Sequence, residues 1–548
     1  MLNSKSNLKG VLMLSLNIFR YINSGNLKNA FFHIKTYGLR SVVRKTADYL
    51  EFTKAYNDWR LSHIVSSDVL EHQKHHEFAH NPLISIIVPV YKTPARFLRQ
   101  MIDSVINQTY FHWELCIADG SADVSADYIA DIISDYQRTY PNIRYQKLSA
   151  NLGISGNTNA ALDMVSGDFI ALLDHDDVLT PDALYEIVQM YNENTRYDVF
   201  YTDEDKVNTD FTSYYDPYFK PDFNLDLLRS CNYITHFFVV KAALAKGVGG
   251  FSDQCNGSQD YDFILKTCEK ATAICHIPKI LYHWRIHSAS VAGDPESKLY
   301  AYESAVRALQ NHLDRCNEDA VAMRDLQYGY YRTEYHYNGT PLVSIILQNC
   351  SSELESQIRS ITTYSNYEIV SSVSDASGEF VLFLSHAQNI LSRDWIEQLL
   401  GNCSRSNIGI CGGKIFYRKG KVLSYGLVYT SDGQLHSPFY RLNDLDTGYC
   451  YRARIQQCCS IIEPYCFMTK RSLLEKMWPA ISDSNFENQF YDYCHQMREQ
   501  HYNITILPNV SVLCSSTGDA LPAFPYYVGK TDPFYNPNFS LNKMYHLS

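Results

Sequence analysis

Gly167-Asp168-Phe169-Ile170-Ala171-Leu172-Leu173-Asp174-His175-Asp176-Asp177 is the stretch on which the fold turns. Its apolar run, Phe169 to Leu173, is long enough for a buried strand and breaks abruptly into Asp174, Asp176 and Asp177. Pro181 then opens a helical pattern through Leu184, Ile187 and Val188, with apolar residues three and four apart behind a helix-starting proline. Carboxylates gathered where a buried strand emerges repel one another unless a cation neutralises them. In open α/β sheets the carboxyl ends of strands are also where ligands bind. A solvated acidic turn capping the next helix is the plainer alternative, and matching pieces elsewhere in the chain count against it.

Upstream, Leu83-Ile84-Ser85-Ile86-Ile87-Val88-Pro89-Val90-Tyr91 predicts a buried strand after the break at Asn81-Pro82. Phe97, Leu98, Met101, Ile102, Val105 and Ile106 recur at helical spacing, and Trp113 to Ser121 predicts a second strand running into Asp119-Gly120-Ser121. A helix over about 126–137 and a third strand over 143–148 follow. The polar loop Asn151-Leu152-Gly153-Ile154-Ser155-Gly156-Asn157 then opens another helix. Strands alternating with helices predict a mostly parallel sheet covered on both faces.

Each strand end carries a polar element able to meet one ligand. Asp119 could accept from a base or ribose, and Gly153, Ser155 and Asn157 lie at a helix start, which favours phosphate. The Asp cluster could hold a divalent cation on a diphosphate. Downstream, Tyr201-Thr202-Asp203-Glu204-Asp205-Lys206 predicts another strand ending in carboxylates. Gly257-Ser258-Gln259-Asp260-Tyr261-Asp262 leads into an apolar helix, and Tyr282-His283-Trp284-Arg285-Ile286-His287 sets two histidines beside an apolar strand.

In this order and spacing, Pro89-Val90-Tyr91, Asp119-Gly120-Ser121, Gly153-Ile154-Ser155, Asp174-His175-Asp176-Asp177, Gln259-Asp260 and the 282–287 run resemble the motifs of inverting family 2 glycosyltransferases with the GT-A fold. The resemblance covers about residues 81–312 and is nearest to bacterial polysaccharide enzymes, rhamnosyltransferases among them. It implies that Pro89, Val90 and Tyr91 line a nucleotide pocket, that Asp119 contacts the base, and that Gly153, Asn157 and His175 lie against the donor. Asp174 and Asp176 would form an Asp-x-Asp pair binding Mn²⁺ or Mg²⁺, Asp176 the more directly, with His287 and then His283 as the late histidine ligand. Asp260 would be the general base. Two positions depart from the family pattern: Gln259 stands where a Glu usually precedes the base, and Thr158 where an Arg often follows the Gly-Ile-Ser loop.

The chemistry is consistent with these roles. A sugar nucleotide, here a UDP- or dTDP-sugar, leaves as a diphosphate whose growing charge a divalent cation stabilises. The acceptor hydroxyl is a poor nucleophile near neutral pH, so a carboxylate must take its proton in the transition state. Attack opposite the leaving group inverts the anomeric centre and needs no protein nucleophile. The expected acceptor is a lipid-linked or polymeric glycan such as an O-antigen or capsule. The alternative from another class is a glycan-binding or scaffold protein, in a polysaccharide-assembly complex, with both units inactive. A dinucleotide oxidoreductase is excluded, because Pro89-Val90-Tyr91-Lys92-Thr93-Pro94 lacks the glycine turn that fold needs.

The opening strand recurs. Gly378-Glu379-Phe380-Val381-Leu382-Phe383-Leu384 repeats Gly167 to Leu173, and Gly339 to Leu347 repeats the first strand's approach. Ser385-His386-Ala387-Gln388-Asn389 stands where the carboxylates stood, Phe490 falls at the position of the base, and Leu513-Cys514-Ser515-Ser516 replaces the late histidines. The expected architecture is α/β, with two GT-A-like domains, each a Rossmann-like, mostly parallel sheet. It comprises an N-terminal helical segment over 1–80, a catalytic domain over 81–335 and a degenerate, inactive copy over 340–548.

Bulk properties agree. The chain's 548 residues exceed one ordinary core, and its net charge of -11 argues against nucleic acid as a partner. Fifteen scattered cysteines without a CxxC pair point to a reducing cytoplasm rather than to disulfides or zinc. No stretch reaches membrane-span length. The run Val11 to Phe19 lacks the small-residue cleavage site of a signal peptide. Basic, amphipathic segments around Ala30–Lys35 and Leu39–Arg44 are expected to pack on the next domain, with peripheral attachment to the inner face of the cell membrane as the sharper alternative.

Overall fold

The computed structural model describes residues 39–121, 126–287, 299–478, 485–515, 521–540 and 543–547, with side chains from residue 46. The runs 11–19 and 30–35 lie outside them. Of the N-terminal segment the helices Leu39–Ser62 and Ser67–Lys74 are described, and no helix among the described residues is long and apolar enough to cross a membrane.

The first sheet has nine strands: β1 (Ile84–Val90), β2 (Trp113–Asp119), β3 (Ile143–Lys147), β4 (Phe169–Leu172), β5 (Val178–Leu179), β6 (Val199–Asn208), β7 (Tyr214–Tyr218), β8 (Phe238–Lys241) and β9 (Ile274–Ile286). Their order is β3-β2-β1-β4-β8-β6-β9-β5, with β7 paired to β6. β3, β2, β1 and β4 are parallel, as the alternation with helices requires. β8 then runs antiparallel between β4 and β6. This reversal brings the start of β8 beside the end of β4. Side chains alternate across β1: Ile84, Ile86, Val88 and Val90 join one core and Ile87 the other, so both faces are buried. The helix Ala95–Ile106 buries Phe97, Leu98, Met101, Ile102 and Val105, each worth about 1.5–3 kcal/mol of transfer free energy.

One expectation changes. β6 does not end in carboxylates but carries Asp203, Glu204 and Asp205 inside the strand, all buried. A buried charge persists only with a partner, and each has one. His276 Nε2 lies 2.9 Å from Asp203, Lys220 Nζ lies 3.0 Å from Glu204, and His283 Nδ1 lies 2.5 Å from Asp205.

The second sheet repeats the first. Its order is Tyr367–Val370, Val343–Gln348, Phe380–Ser385, Cys466–Lys470, Ile408–Arg418, Asn503–Cys514 and Ala387–Ile390. That is the β2-β1-β4-β8-β6-β9-β5 order with the β3 edge missing, which accounts for the shorter span between the two repeated strands. Local chemistry repeats too. Gly167 N donates to Ser85 Oγ at 2.9 Å and Gly378 N to Ser344 Oγ at 2.8 Å. Ser85 in turn donates to Glu114, and Ser344 to Glu368. At both glycines an added Cβ would stand within 2.6 Å of a backbone carbonyl, Leu83 O in one copy and Leu342 O in the other.

The two units meet through buried polar contacts. Arg405 forks onto Asp226 at 2.7 and 3.1 Å, and Asn224 and Cys458 exchange two backbone-to-amide bonds. Asn536, near the C-terminus, donates to Asp203 at 2.9 Å. All fifteen cysteines are free.

Candidate active site

The ends of β1, β2 and β4 form one rim. Val90 and Asp119 are in register, Gly120 N donates to Val90 O at 2.9 Å, and Lys92 N donates to Ser121 Oγ at 2.7 Å. Asn157 accepts from Leu152 N at 3.1 Å and donates to Asn151 at 3.0 Å. A Cβ on Gly120 would stand 2.5 Å from Asn157 Nδ2, so only glycine allows that approach. Gly153 enters its helix at φ +77, a region glycine adopts without strain.

Asp119 is fully buried and accepts from Ser121 N at 2.8 Å and from the Tyr145 hydroxyl at 2.9 Å. Asp119 and Asn157, expected against the donor, also brace the loops of the rim. Pro89 and Val90 are buried in β1, and Tyr91, 44% exposed, is the residue of that motif open to solvent.

The carboxylates lie just past β4. Asp174 keeps 54% of its side chain open. Asp177 is buried and accepts from the Tyr282 hydroxyl at 2.6 Å and from Arg285 N at 2.7 Å. Arg285 Nε donates to Asp176 O at 2.6 Å, and its guanidinium sits 4.3 and 4.7 Å from the Phe97 and Phe211 rings. Asp176 Oδ2 lies 2.8 Å from His287 Nε2, so two residues far apart in sequence do meet. His175 Nδ1 is 3.8 Å from Asp176.

His236 arrives from the start of β8. Its Nδ1 is 3.2 Å from Glu204 and its Nε2 3.8 Å from Asp174, and the ring stacks on Tyr282 with centroids 4.5 Å apart. A carboxylate behind one ring nitrogen orients the other, the usual support of a metal-binding imidazole. Asp174, Asp177 and His236 offer ligand atoms all within 4.8 Å of one another. His283, the reserve histidine, is instead held by Asp205, whose other oxygen accepts from Tyr56 of the N-terminal helix.

Electrostatics follow from this crowding. The protein mass around it and the charge of Asp176 push the half-open Asp174 carboxyl up, while His236 pulls it down. Burial, then Asp176 and Asp174, push Asp177 up strongly. His236 is lifted to about 9: burial works against its charge, and Glu204 more than restores it. Carboxylates that burial and like charge discourage from ionising are relieved by a dication, and carboxylate oxygens suit Mn²⁺ or Mg²⁺. The donor set fits such an ion.

Asp260 stands in the first turn of the helix Gln259–Lys270 and accepts from Asn232 Nδ2 at 3.0 Å. Burial raises its carboxyl, the Asp174 charge adds to this, and the Tyr261 N–H and His236 oppose it. A carboxylate made more basic in this way is a better proton acceptor.

Residues 85–247, which hold the rim, the carboxylates, Glu204 and His236, match the model of glycosyl transferase family 2. The chain carries a family 2 glycosyltransferase domain. The uncharacterized protein y4gI of Sinorhizobium fredii is 31% identical over 532 residues, covering 84% of this chain and 58% of that protein. The O-antigen biosynthesis protein RfbC of Myxococcus xanthus is 26% identical over 526 residues, 84% of this chain and 40% of RfbC. Chondroitin synthase of Pasteurella multocida is 30% identical over 250 residues, 45% of this chain and 24% of that enzyme. The chain thus spans 58% or less of the length of these relatives. Among solved structures, S. aureus TarS 1–349 in complex with UDP-GlcNAc aligns with TM-score 0.35 and 21% identity, over 42% of this chain and 66% of that one.

Proposed function

We propose that this glycosyltransferase moves a sugar from a nucleotide-diphosphate donor to a hydroxyl of a growing bacterial surface polysaccharide, with inversion. The observation that carries this is the approach of His236 to Asp174 at 3.8 Å, with Asp260 near enough to feel the charge of both. Names among the relatives, O-antigen biosynthesis and chondroitin synthase, support the polysaccharide class.

In this reading Asp174 and Asp176, with His287 or His236, would hold Mn²⁺ or Mg²⁺. That ion, when bound, neutralises the diphosphate as it leaves. Asp177 and Arg285 keep the carboxylate turn in place, since both Asp177 oxygens are used internally. Glu204 holds His236 upright. Asn232 orients Asp260, whose raised carboxyl takes the proton from the acceptor hydroxyl as that oxygen attacks. The second unit is an inactive copy: Ser385 ends its β4-like strand where the first copy turns to Asp174, Tyr465 takes the register position of His236, and the buried Phe490 replaces Asp260.

Nucleotide release from a panel of UDP-, dTDP- and GDP-sugars, with Mn²⁺ or Mg²⁺ and with EDTA, tests the proposal. Release from a donor that EDTA abolishes and Asp174→Ala removes is expected. An absence of donor binding across the panel with Mn²⁺ present would favour the glycan-binding scaffold instead.

A further inference from the structure

A cavity of 1310 Å³ lies where the hairpin formed by Ala320–Arg324 and Tyr331–Tyr335 meets the second unit. None of the carboxylate-cluster residues lines it. Its walls are rich in tyrosine. Tyr302 and Tyr328 stack with centroids 4.9 Å apart, and Tyr330 and Tyr451, one from each unit, stack at 4.2 Å. Tyr328 is 43% exposed. Polar groups stand between the rings. Arg332 is exposed on the hairpin, and Lys414, almost wholly buried, has its ammonium 3.6 Å from Asp444.

Three properties name the occupant. The volume exceeds the roughly 300–1,000 Å³ of an ordinary small-molecule site, so an extended molecule fits better than a compact one. Cationic and anionic side chains around the cavity nearly balance, which disfavours a polyanion. Tyrosines that offer apolar ring faces and hydroxyl edges match a sugar ring, with its C–H faces and hydroxyl rim.

Packed tyrosines link the cavity wall to the helix that carries the proposed base. Tyr331, in its wall, stacks on Tyr261 with centroids 5.9 Å apart, and Tyr261 adjoins Asp260. Ser258, two residues before Asp260, donates to Ala301 O at 2.8 Å, next to Tyr302.

We propose that this cavity is an acceptor groove, in which a neutral oligosaccharide lies across the tyrosines with its reacting end toward Asp260. The proposal rests on the transferase reading for the direction of the chain. It gives the catalytically silent unit a role, because Lys414, Asp444 and Tyr451 of that unit complete the walls.

The full chain is titrated with neutral hexasaccharides of glucose, N-acetylglucosamine and rhamnose, and with a heparin hexasaccharide as polyanionic control, by saturation-transfer NMR and calorimetry. At least one neutral hexasaccharide binds and heparin does not. Tyr328→Ala weakens that binding about tenfold, as loss of one aromatic anchor from a desolvated site does, while Tyr328→Trp retains it. No binding by any neutral hexasaccharide, or binding indifferent to Tyr328→Ala in a variant that melts like wild type, overturns the groove. Nucleotide-sugar titration of the wild type in the same buffer separates the two claims. Donor binding without glycan binding refutes the groove alone, and glycan binding without donor binding refutes the transferase reading alone.

Discussion

Replacing Asp226 by Asn removes one charge from the junction of the two units and changes the side-chain shape hardly at all. Asp226 and Arg405 keep 1% and 3% of their side-chain surface. Arg405 grips both carboxylate oxygens, Thr505 and Gln456 donate to one of them, and the guanidinium lies 4.3 Å from the Tyr335 ring centroid. Once the charge is gone, Arg405 is left buried with no full counter-charge, a loss of about 3–5 kcal/mol. For units of this size that lowers the melting midpoint on the order of 10 °C. Pairing Asp226→Asn with Arg405→Met restores most of the loss, because the cost lies in the stranded cation and not in the missing pair. The pH dependence has a definite sign. Despite burial, Arg405 holds the Asp226 carboxyl well below its ordinary 3.8, so its stabilisation is complete above about pH 3.8 and fades as pH falls further. Differential scanning calorimetry of wild type and the single and double variants at pH 7 and pH 3 reads this out. A single variant within about 1 kcal/mol of wild type at pH 7 would refute the reasoning.

Two further outcomes follow from buried geometry. Gly167→Ala and Gly378→Ala each force a methyl against a carbonyl and a serine hydroxyl in equivalent places, so both destabilise by about 1–3 kcal/mol, as urea midpoints will show. Glu463, buried against the Tyr491 hydroxyl, has its carboxyl raised from 4.5 to about 7. The folded chain therefore holds a proton that the unfolded chain releases, and stability falls as pH rises from about 4.5 to about 7. Glu463→Gln removes that slope in melting curves across the interval, and an unchanged slope would disprove the assignment.

The strands were legible because both faces of β1, β2 and β4 are buried and read as unbroken apolar runs. The duplication was legible because Gly167 and Gly378 each sit under a carbonyl where no side chain fits, so the two copies keep the same start. His236 was not. It precedes an apolar strand with no motif around it, and only the antiparallel entry of β8 beside β4 brings it to Asp174. Asp203 to Asp205 suggested a strand end, since consecutive carboxylates rarely sit in a buried strand. The partners that admit them come from other parts of the chain, His276 and His283 on β9 and Lys220 just after β7. Asp174, Asp176 and His287 were legible as a motif, whereas His236 comes to Asp174 only through the fold.

On the proposed reading Asp260 takes the acceptor proton while the donor is held elsewhere. Asp260→Asn keeps the side-chain shape and the Asn232 neighbour but cannot accept a proton. Donor affinity and sugar transfer, measured on one preparation with Mn²⁺, separate the two roles. Donor binding close to wild type and transfer slowed about 10²–10⁴-fold are expected. Near-normal transfer by Asp260→Asn would contradict it.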